Sequence, residues 1–247
     1  MQTMTINRMR EMTLAQMARR LAEMSDDPKC HDLNWKDAVA SLIDAEYEHR
    51  AARRLQELLR RAKLKYSAAT LESLDYDPDR GVSKDLIREL SNGRWIEQAH
   101  NVMISGPTGT GKSYLACALA GSACRRGVKT AYWRVSVFLD TLAADRALGT
   151  YHKTLEKLRK IQLLVLDDLG ADVLNRDQRR ILFDVIEERS LEGSVVVTSQ
   201  VPIEKWGNVI GEAGAAEAIC DRLLENCHRI ALKGASRRGG IRTNPTT

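Results

Sequence analysis

The chain has 247 residues, of which 43% are hydrophobic and 29% are charged, and its formal net charge is +5. This length suggests one large domain or two modest ones, and the apolar fraction is sufficient for a real hydrophobic core. The sequence has no signal-peptide pattern and no apolar run long enough to span a membrane, so we expect a cytoplasmic protein with no membrane partner. The positive charge favours a polyanionic partner only weakly.

The first 65 residues have the pattern of amphipathic helices. Apolar residues, mostly methionine, recur at helical spacing from Met9 to Met24, and Asp26-Asp27-Pro28 interrupts the pattern. A long second helix is predicted from about Asn34 to Leu59. We therefore expect residues 1–65 to form a helical domain that binds DNA or a partner protein.

The far end of this second helix is strongly basic. Its positive charge belongs either to a solvated helix face, with pairs such as Glu46–Arg50, or to a docking surface for nucleic acid or a partner. Residues 66–81 contain turn residues and little periodicity, which is typical of a linker. The basic residues are Arg50, Arg53, Arg54, Arg60, Arg61, Lys63 and Lys65.

A glycine-rich loop lies between an apolar run, Val102–Ile104, and a helical pattern that begins near Lys112. This context of strand, loop and helix is that of a P-loop, whose backbone N–H groups surround a phosphate chain. Lys112 is predicted to reach the β- and γ-phosphates of a nucleoside triphosphate, and the Ser113 hydroxyl to coordinate Mg²⁺. The predicted nucleotide-binding residues are Gly106, Pro107, Thr108, Gly109, Thr110, Gly111, Lys112, Ser113 and Tyr114.

Strands and helices alternate in the rest of the chain. This alternation predicts a parallel sheet that is covered by helices on both faces, and we assign residues 82–247 to one ATPase domain with a basic C-terminal end. The predicted elements are strand 129–135, helical residues 137–159, strand 161–166, helix 178–191 and strand 195–198.

The five cysteines do not include a C-x-x-C pair. Cys117 and Cys124 are seven residues apart, as are Cys220 and Cys227, and this spacing places each pair on one face of a helix. We expect these residues to pack in the interior rather than to bind a metal.

Two acidic residues, Asp167 and Asp168, end the apolar strand 161–166. A carboxylate at the C-terminal end of a buried parallel strand faces the ligand crevice of an α/β sheet. Asp167 is predicted to hold Mg²⁺ through water, as a Walker B residue does, and Asp168 to polarise the attacking water. The alternative is that the two aspartates only initiate a turn. The P-loop upstream favours the catalytic interpretation.

Ser199 and Gln200 follow the next predicted strand. Polar side chains at this point lie near the γ-phosphate and sense or orient the nucleophile, although they also suit a simple strand cap. From Arg229 onward the chain has basic residues and no acidic ones. This ending is either a disordered basic tail or part of an edge that faces phosphate or DNA.

Several segments together resemble the IstB-type transposition helper ATPases, which are AAA+ proteins close to the DnaC helicase loader and the DnaA initiator. The segments read GPTGTGKS, LLVLDDLG, VVVTSQVPIEKW and DRLLENCHRIALKG. The resemblance covers nearly the whole chain. It implies an AAA+ parallel sheet flanked by helices, with a small helical N-terminal domain and a small C-terminal helical lid.

The resemblance also implies roles for residues outside the Walker motifs. Arg222 resembles an arginine finger that acts on the ATP of a neighbouring subunit, which implies a homo-oligomer with ATP at its interfaces. Arg238 resembles a sensor-II arginine, and the adjacent Arg237 is the alternative for that role. Basic residues of the segment 136–160 are candidate DNA contacts, although a solvated helix face would look the same; they are Lys153, Lys157, Arg159 and Lys160.

The motifs predict an ATPase that uses ATP and Mg²⁺, and the resemblance implies that it oligomerises on double-stranded DNA and assists a cognate transposase. The first rival is a helicase loader that acts on a replicative helicase. Two further rivals are a small-molecule kinase with the same P-loop and a nucleotide-gated scaffold without useful hydrolysis. A second carboxylate and an arginine that acts in trans argue against the kinase.

Overall fold

The computed structural model describes residues 2–30, 33–76, 78–190, 192–211 and 213–237. The chain divides into two compact units, Met1–Glu57 and Leu58–Thr247. None of the helices that the structure describes combines the length and the apolar character needed to cross a bilayer.

In the described part of the chain, the helices are α1 (Gln2–Glu11), α2 (Ala15–Asp26), α3 (Trp35–Ala62), α4 (Lys84–Ser91), α5 (Arg94–Glu97), α6 (Lys112–Arg125), α7 (Val135–Ala147), α8 (Tyr151–Arg159), α9 (Arg176–Arg189), α10 (Trp206–Ile210) and α11 (Ala213–Leu224). The strands are β1 (Asn101–Ser105), β2 (Thr130–Arg134), β3 (Leu163–Leu169), β4 (Ser194–Ser199) and β5 (Cys227–Ala231). Short 3-10 turns are found at Pro28–Cys30, Pro78–Arg80 and Ile203–Lys205.

The first unit consists of α1, α2 and the larger part of α3. Helix α2 has no side-chain cap at Leu14, and its first N–H groups are satisfied by a carboxylate from α3 instead. Glu46 accepts hydrogen bonds from the backbone N–H groups of Gln16 (2.9 Å) and Met17 (3.3 Å), and from Arg50 Nε (2.7 Å). The Arg50 hydrogen bond and these N–H groups hold the pKa of Glu46 below its usual value, although burial opposes them.

The second unit contains a five-stranded sheet in the order β2-β3-β4-β1-β5, and every neighbouring pair is parallel. Strands β1 and β4 are buried along their whole length, and β3 is buried at every residue except Asp168. A parallel sheet requires crossover helices, and these cover both of its faces. The predicted fold class is confirmed.

Side chains alternate between the two faces of this sheet, as the geometry of a strand requires. Leu164 and Val197 point into the cluster that also contains residues of α7, α8, α9, α10 and α11. Val165 and Val196 point into a second cluster, which contains residues of α4, α5 and α6. The sheet is therefore the middle layer of a three-layer unit.

The segment 66–81, which we expect to be a linker, contributes to the second cluster. Ala69 and Leu71 are buried there, and the Tyr76 hydroxyl donates to the carbonyl oxygen of Leu71 (2.8 Å). These residues belong to the packing of the second unit. The division of the chain at residue 65 stays a prediction.

The expectation that each cysteine pair shares a helix face is right for one pair and wrong for the other. Cys117 and Cys124 are both buried on α6. Cys220 lies on α11, whereas Cys227 begins β5, so the two residues do not share a helix face. The helix ends between them, and Asn226 has a positive φ of 49°, which turns the chain back towards the sheet.

The basic C-terminal segment begins with a strand, β5, that pairs with β1 at one edge of the sheet. Of its five residues only Ile230 is fully buried. An edge strand with one covered side chain has no continuous apolar run, which is why its sequence does not indicate a strand.

Candidate nucleotide-binding site

The P-loop, residues 106–113, connects the end of β1 to the start of α6. Gly109 and Gly111 have φ angles of 83° and 100°, which are accessible to glycine and costly for other residues. A Cβ atom on Gly109 would lie 2.0 Å from Ser236 Oγ. Glycine is required at this position both by the backbone angle and by the close approach of the C-terminal segment.

A cavity of about 560 Å³ opens over this loop and lies entirely within the second unit. Its lining combines the P-loop and the start of α6 with three other parts of the unit: the segment before α4, the ends of β2 to β4, and the segment after β5. The lining residues outside the P-loop are Lys65, Tyr66, Ser73, Leu74, Asp75, Arg80, Val82, Tyr114, Leu115, Arg134, Asp168, Gln200, Leu232 and Arg237.

Lys112 is the first residue of α6, and its side chain folds back over the loop. Its ammonium group donates to the carbonyl oxygens of Gly106 (2.8 Å) and Pro107 (2.9 Å). The N-terminus of α6 points into the same cavity, so N–H groups, a helix dipole and a lysine converge there. This arrangement is suited to binding a chain of phosphates.

Asp167 is almost completely buried, with 1% of its surface exposed. Its Oδ1 accepts a hydrogen bond from the Thr198 hydroxyl (2.6 Å) and its Oδ2 from the Tyr132 hydroxyl (2.5 Å). Burial raises the pKa of Tyr132, and the neighbouring Asp167 carboxylate raises it further, so the phenol remains a donor. Lys65 Nζ lies 3.6 Å from the same Oδ2.

Asp168 has a positive φ of 70° at a point where the register between β3 and β4 shifts. Such a conformation costs a non-glycine residue about 1–2 kcal/mol, and it is typical of functional sites. The Thr198 hydroxyl accepts the Asp168 N–H (2.9 Å), so one threonine side chain contacts both acidic residues. This irregularity directs the Asp168 side chain into the cavity.

The Asp168 carboxylate accepts hydrogen bonds from Gln200 Nε2 (3.1 Å) and Arg134 (3.2 Å). Burial raises the pKa of Asp168, but the hydrogen bonds from Gln200 and Arg134 outweigh it, and the pKa lies below its usual value. Gln200 Oε1 in turn accepts a hydrogen bond from the Thr108 hydroxyl (2.5 Å). An ionised carboxylate is thus connected to the P-loop through one glutamine.

Ser199 and Gln200, which are adjacent in sequence, lie in different environments. Ser199 is fully buried; its hydroxyl donates to the Leu169 carbonyl (2.6 Å) and accepts the Val201 N–H (3.0 Å). These contacts are those of a strand cap. Gln200 lines the cavity and contacts Asp168, so the structure brings it, but not Ser199, to the phosphate site.

The oxygen donors next to the P-loop fit Mg²⁺. Ser113 lines the cavity, and the buried Asp167 lies on β3 directly before Asp168, which also lines it. Mg²⁺ prefers such hard oxygen ligands, takes few of them from the protein and keeps several waters. In the part of the chain that the structure describes, no group of three or more histidine, cysteine, aspartate or glutamate residues is arranged to hold a metal ion.

The segment after β5 returns to the P-loop. The backbone N–H of Arg237 donates to the Gly109 carbonyl (2.9 Å), and the Arg237 guanidinium pairs with Asp75 at the rim of the cavity. Arg238, the other candidate for the sensor-II role, lies outside the described residues.

Residues 65–82 contribute to the site in a way that their sequence does not predict. Arg80 donates to the Thr110 carbonyl (3.0 Å), and Ser73 shares a hydrogen bond with the Tyr114 hydroxyl (2.7 Å). Nothing in the local sequence marks these contacts, because each depends on how a segment without regular structure crosses α6.

Arg222 lies on α11 and does not line the P-loop cavity. Its guanidinium pairs with Glu187, stacks 5.3 Å from the centre of the Phe183 ring and donates to the Ala218 carbonyl (3.2 Å). These contacts hold an arginine at the surface of α9 and α11, away from the phosphate site of its own chain.

The basic residues proposed as DNA contacts all lie on or directly after α8, and all are exposed. Arg159 forms two hydrogen bonds with Glu192, of 2.9 and 2.8 Å. Lys153, Lys157 and Lys160 are exposed and form no ion pair with another described residue, so their charges face solvent.

Comparison with known proteins finds relatives that are named for ATP binding. The model of a family described as IstB-like ATP binding protein matches residues 7–244. A Sinorhizobium fredii protein named for insertion-sequence ATP binding is 38% identical over 234 residues, which are 95% of each chain. A Pseudomonas fluorescens protein, named for ATP binding in insertion sequence IS1162, is 38% identical over 198 residues, covering 80% of this chain and 86% of its own.

Solved structures share the fold. The DnaC helicase loader superposes with a TM-score of 0.58 at 21% identity, covering 68% of this chain and 99% of its own. AMPPCP-bound DnaA from Aquifex aeolicus superposes with a TM-score of 0.53 at 22% identity, covering 66% of this chain and 49% of its own. The sheet and its helices therefore have the AAA+ architecture.

Proposed function

This chain belongs to the family of IstB-like ATP-binding proteins, and from that premise we propose that it hydrolyses ATP, assembles on double-stranded DNA and assists an insertion-sequence transposase. The proposal rests on one observation: a single cavity contains the P-loop, Lys112 and the ionised Asp168 carboxylate. The names of its relatives, which refer to insertion sequences, support the link to a transposase.

Lys112 and the P-loop N–H groups bind the phosphates. The Lys112 ammonium exchanges its two carbonyl partners for phosphate oxygens, which are stronger, charge-assisted acceptors. Ser113 and, through water, Asp167 would hold Mg²⁺, which would supply further positive charge to the phosphates.

Asp168 orients the attacking water. Gln200 and Arg134 keep its carboxylate ionised, so that it can accept a hydrogen bond from that water and take up its proton. Through Thr108, Gln200 also connects this carboxylate to the loop that holds the phosphates. Water activation is thereby coupled to the presence of nucleotide.

Arg222 acts on a neighbouring subunit. Since it does not line the cavity of its own chain, a contact with γ-phosphate requires a second copy, with ATP at the interface. A guanidinium is well suited to this contact because it binds phosphate oxygens in a bidentate manner.

DNA binding is proposed to be electrostatic. The net charge of +5, together with the basic end of α3 and the exposed lysines of α8, favours contacts with phosphates over reading of bases. We expect binding that tolerates sequence changes and weakens by orders of magnitude between about 50 and 200 mM salt.

The test compares two variants on double-stranded DNA, with ATP binding, turnover and DNA binding measured in parallel. Lys112→Ala should lose ATP binding and ATP-stimulated DNA binding. Asp168→Asn should bind ATP and DNA, but its ATP turnover should decrease by at least about 10²-fold. Its assemblies on DNA should therefore be long-lived. Asp140→Asn, which changes an exposed acid on α7, is the control and should behave as wild type.

The outcomes separate the rival functions. Unchanged nucleotide affinity in Lys112→Ala would refute the P-loop assignment. Unaltered DNA assembly and turnover in Asp168→Asn would refute its role as the water-orienting group. If wild type hydrolyses ATP but assembles on DNA only with a replicative helicase present, the protein is a helicase loader.

A further inference from the structure

Lys65 follows the end of α3 by three residues and reaches the buried carboxylate of Asp167. Its side chain lines the cavity and is 43% exposed, whereas the Asp167 side chain is 2% exposed and does not line the cavity. The Lys65 ammonium therefore lies between Asp167 Oδ2 and the cavity.

The position of Lys65 is determined by contacts with the P-loop helix. Burial raises the pKa of the Cys117 thiol on α6, and the backbone of Tyr66 and Lys65 opposes this shift, so the segment lies close to that sulfur. The Tyr66 ring packs against the Tyr114 ring, with 5.9 Å between their centres. The segment is thus attached to the same helix that carries Ser113.

A buried carboxylate requires compensation for its charge. Tyr132 and Thr198 each donate one neutral hydrogen bond to Asp167, and neither brings a positive charge. Lys65 supplies that charge at 3.6 Å. Asp167 is also one of the two residues that would hold Mg²⁺, together with Ser113.

We propose that Lys65 is a positioning residue that neutralises Asp167 before the metal nucleotide binds and is displaced from it by Mg²⁺. The inference deepens the proposed function and rests on it, because it assigns to Lys65 the control of metal entry at that site. Lys65 and Mg²⁺ compete for Asp167, so the ammonium raises the Mg²⁺ concentration that tight nucleotide binding requires. When Lys65 leaves Asp167, the conformation of residues 63–66, directly after α3, changes.

The experiment follows binding of a fluorescent ATP analogue, methylanthraniloyl-ATP, as Mg²⁺ is titrated at pH 8. Lys65→Met keeps the length of the side chain and removes its charge. It should reach half-maximal binding at a Mg²⁺ concentration about fivefold lower than wild type, as expected for loss of a half-exposed ion pair worth about 1 kcal/mol. Lys65→Gln should show the same shift, and Lys65→Arg should retain most of the wild-type Mg²⁺ dependence.

Lys63→Met is the matched control. It removes the same charge two residues away, from an exposed side chain, and should leave the Mg²⁺ dependence unchanged. Equal midpoints for Lys65→Met, Lys63→Met and wild type would overturn the inference. So would a large loss of affinity in Lys65→Met at saturating Mg²⁺, because Lys65 would then bind the phosphates itself. If wild type binds no nucleotide at any Mg²⁺ concentration, the proposed function fails instead.

Discussion

Gln200 offers the most direct test of the connection between the P-loop and the water-orienting carboxylate. Replacement by leucine removes the hydrogen bond from Nε2 to Asp168 and the acceptor of the Thr108 hydroxyl, and it adds no charge. Hydrogen bonds to charged groups contribute about 1.5–3 kcal/mol. Since Gln200 and Thr108 are both exposed, we take the lower value.

A loss of about 1.5 kcal/mol in the transition state corresponds to a decrease in kcat of about tenfold. The pH profile should change as well, because Gln200 is one of the two groups that lower the pKa of Asp168. Without it the pKa rises. The carboxylate is the active form, so the acid limb of the kcat profile should move to higher pH.

The assay is steady-state phosphate release with DNA present, from pH 5 to 9, for wild type and Gln200→Leu. Gln98→Leu, at an exposed glutamine outside the cavity, is the control. A normal kcat with an unmoved acid limb would refute the network. A raised KM with normal kcat would instead show that Gln200 contributes to binding through Thr108.

Mixing Arg222→Ala with Lys112→Ala subunits should restore part of the ATPase activity that each variant lacks alone, because some interfaces then pair an intact P-loop with an intact arginine. Normal turnover by Arg222→Ala alone would refute the role of Arg222 as an arginine finger. Arg189 is 3% exposed and donates to the buried carbonyl groups of Leu158 and Ser194, and burial lowers its pKa to about 10. Arg189→Met should therefore lower the free energy of unfolding, measured in urea, by about 3 kcal/mol. An unchanged urea midpoint would show that Arg189 does not stabilise the fold. The pKa of Glu46 is lowered on folding, so its stabilising effect is complete above its unfolded pKa and is lost as pH falls through the folded value. Glu46→Gln should flatten the dependence of thermal stability on pH in the acid range, and an unchanged slope would contradict this reasoning.

The sequence was sufficient to predict the central sheet, the P-loop and the residues at the ends of β3 and β4. Apolar runs such as Leu163–Leu166 indicate strands that are buried on both faces, and glycine spacing indicates a phosphate loop. These signals are local. A few neighbouring residues determine them, whatever the rest of the chain does.

The edge strand β5 and the turn between Cys220 and Cys227 were not predicted. A strand at the edge of a sheet is specified by its partner, here β1, and not by its own hydrophobicity. In the same way the cap of α2 comes from Glu46, a residue 30 positions away from Gln16 in the sequence.

The difference between what the sequence determines and what the tertiary structure decides is clearest at the nucleotide-binding site. The sequence alone determined that Lys112, Asp167 and Asp168 lie at the C-terminal edge of a parallel sheet, because strand ends meet there in every such fold. Only the tertiary structure decided that Ser199 turns away from the cavity and Gln200 into it, and that Lys65 covers Asp167. The physical reason is that side-chain direction at a strand end, and the path of a segment without regular structure, depend on contacts between residues distant in sequence.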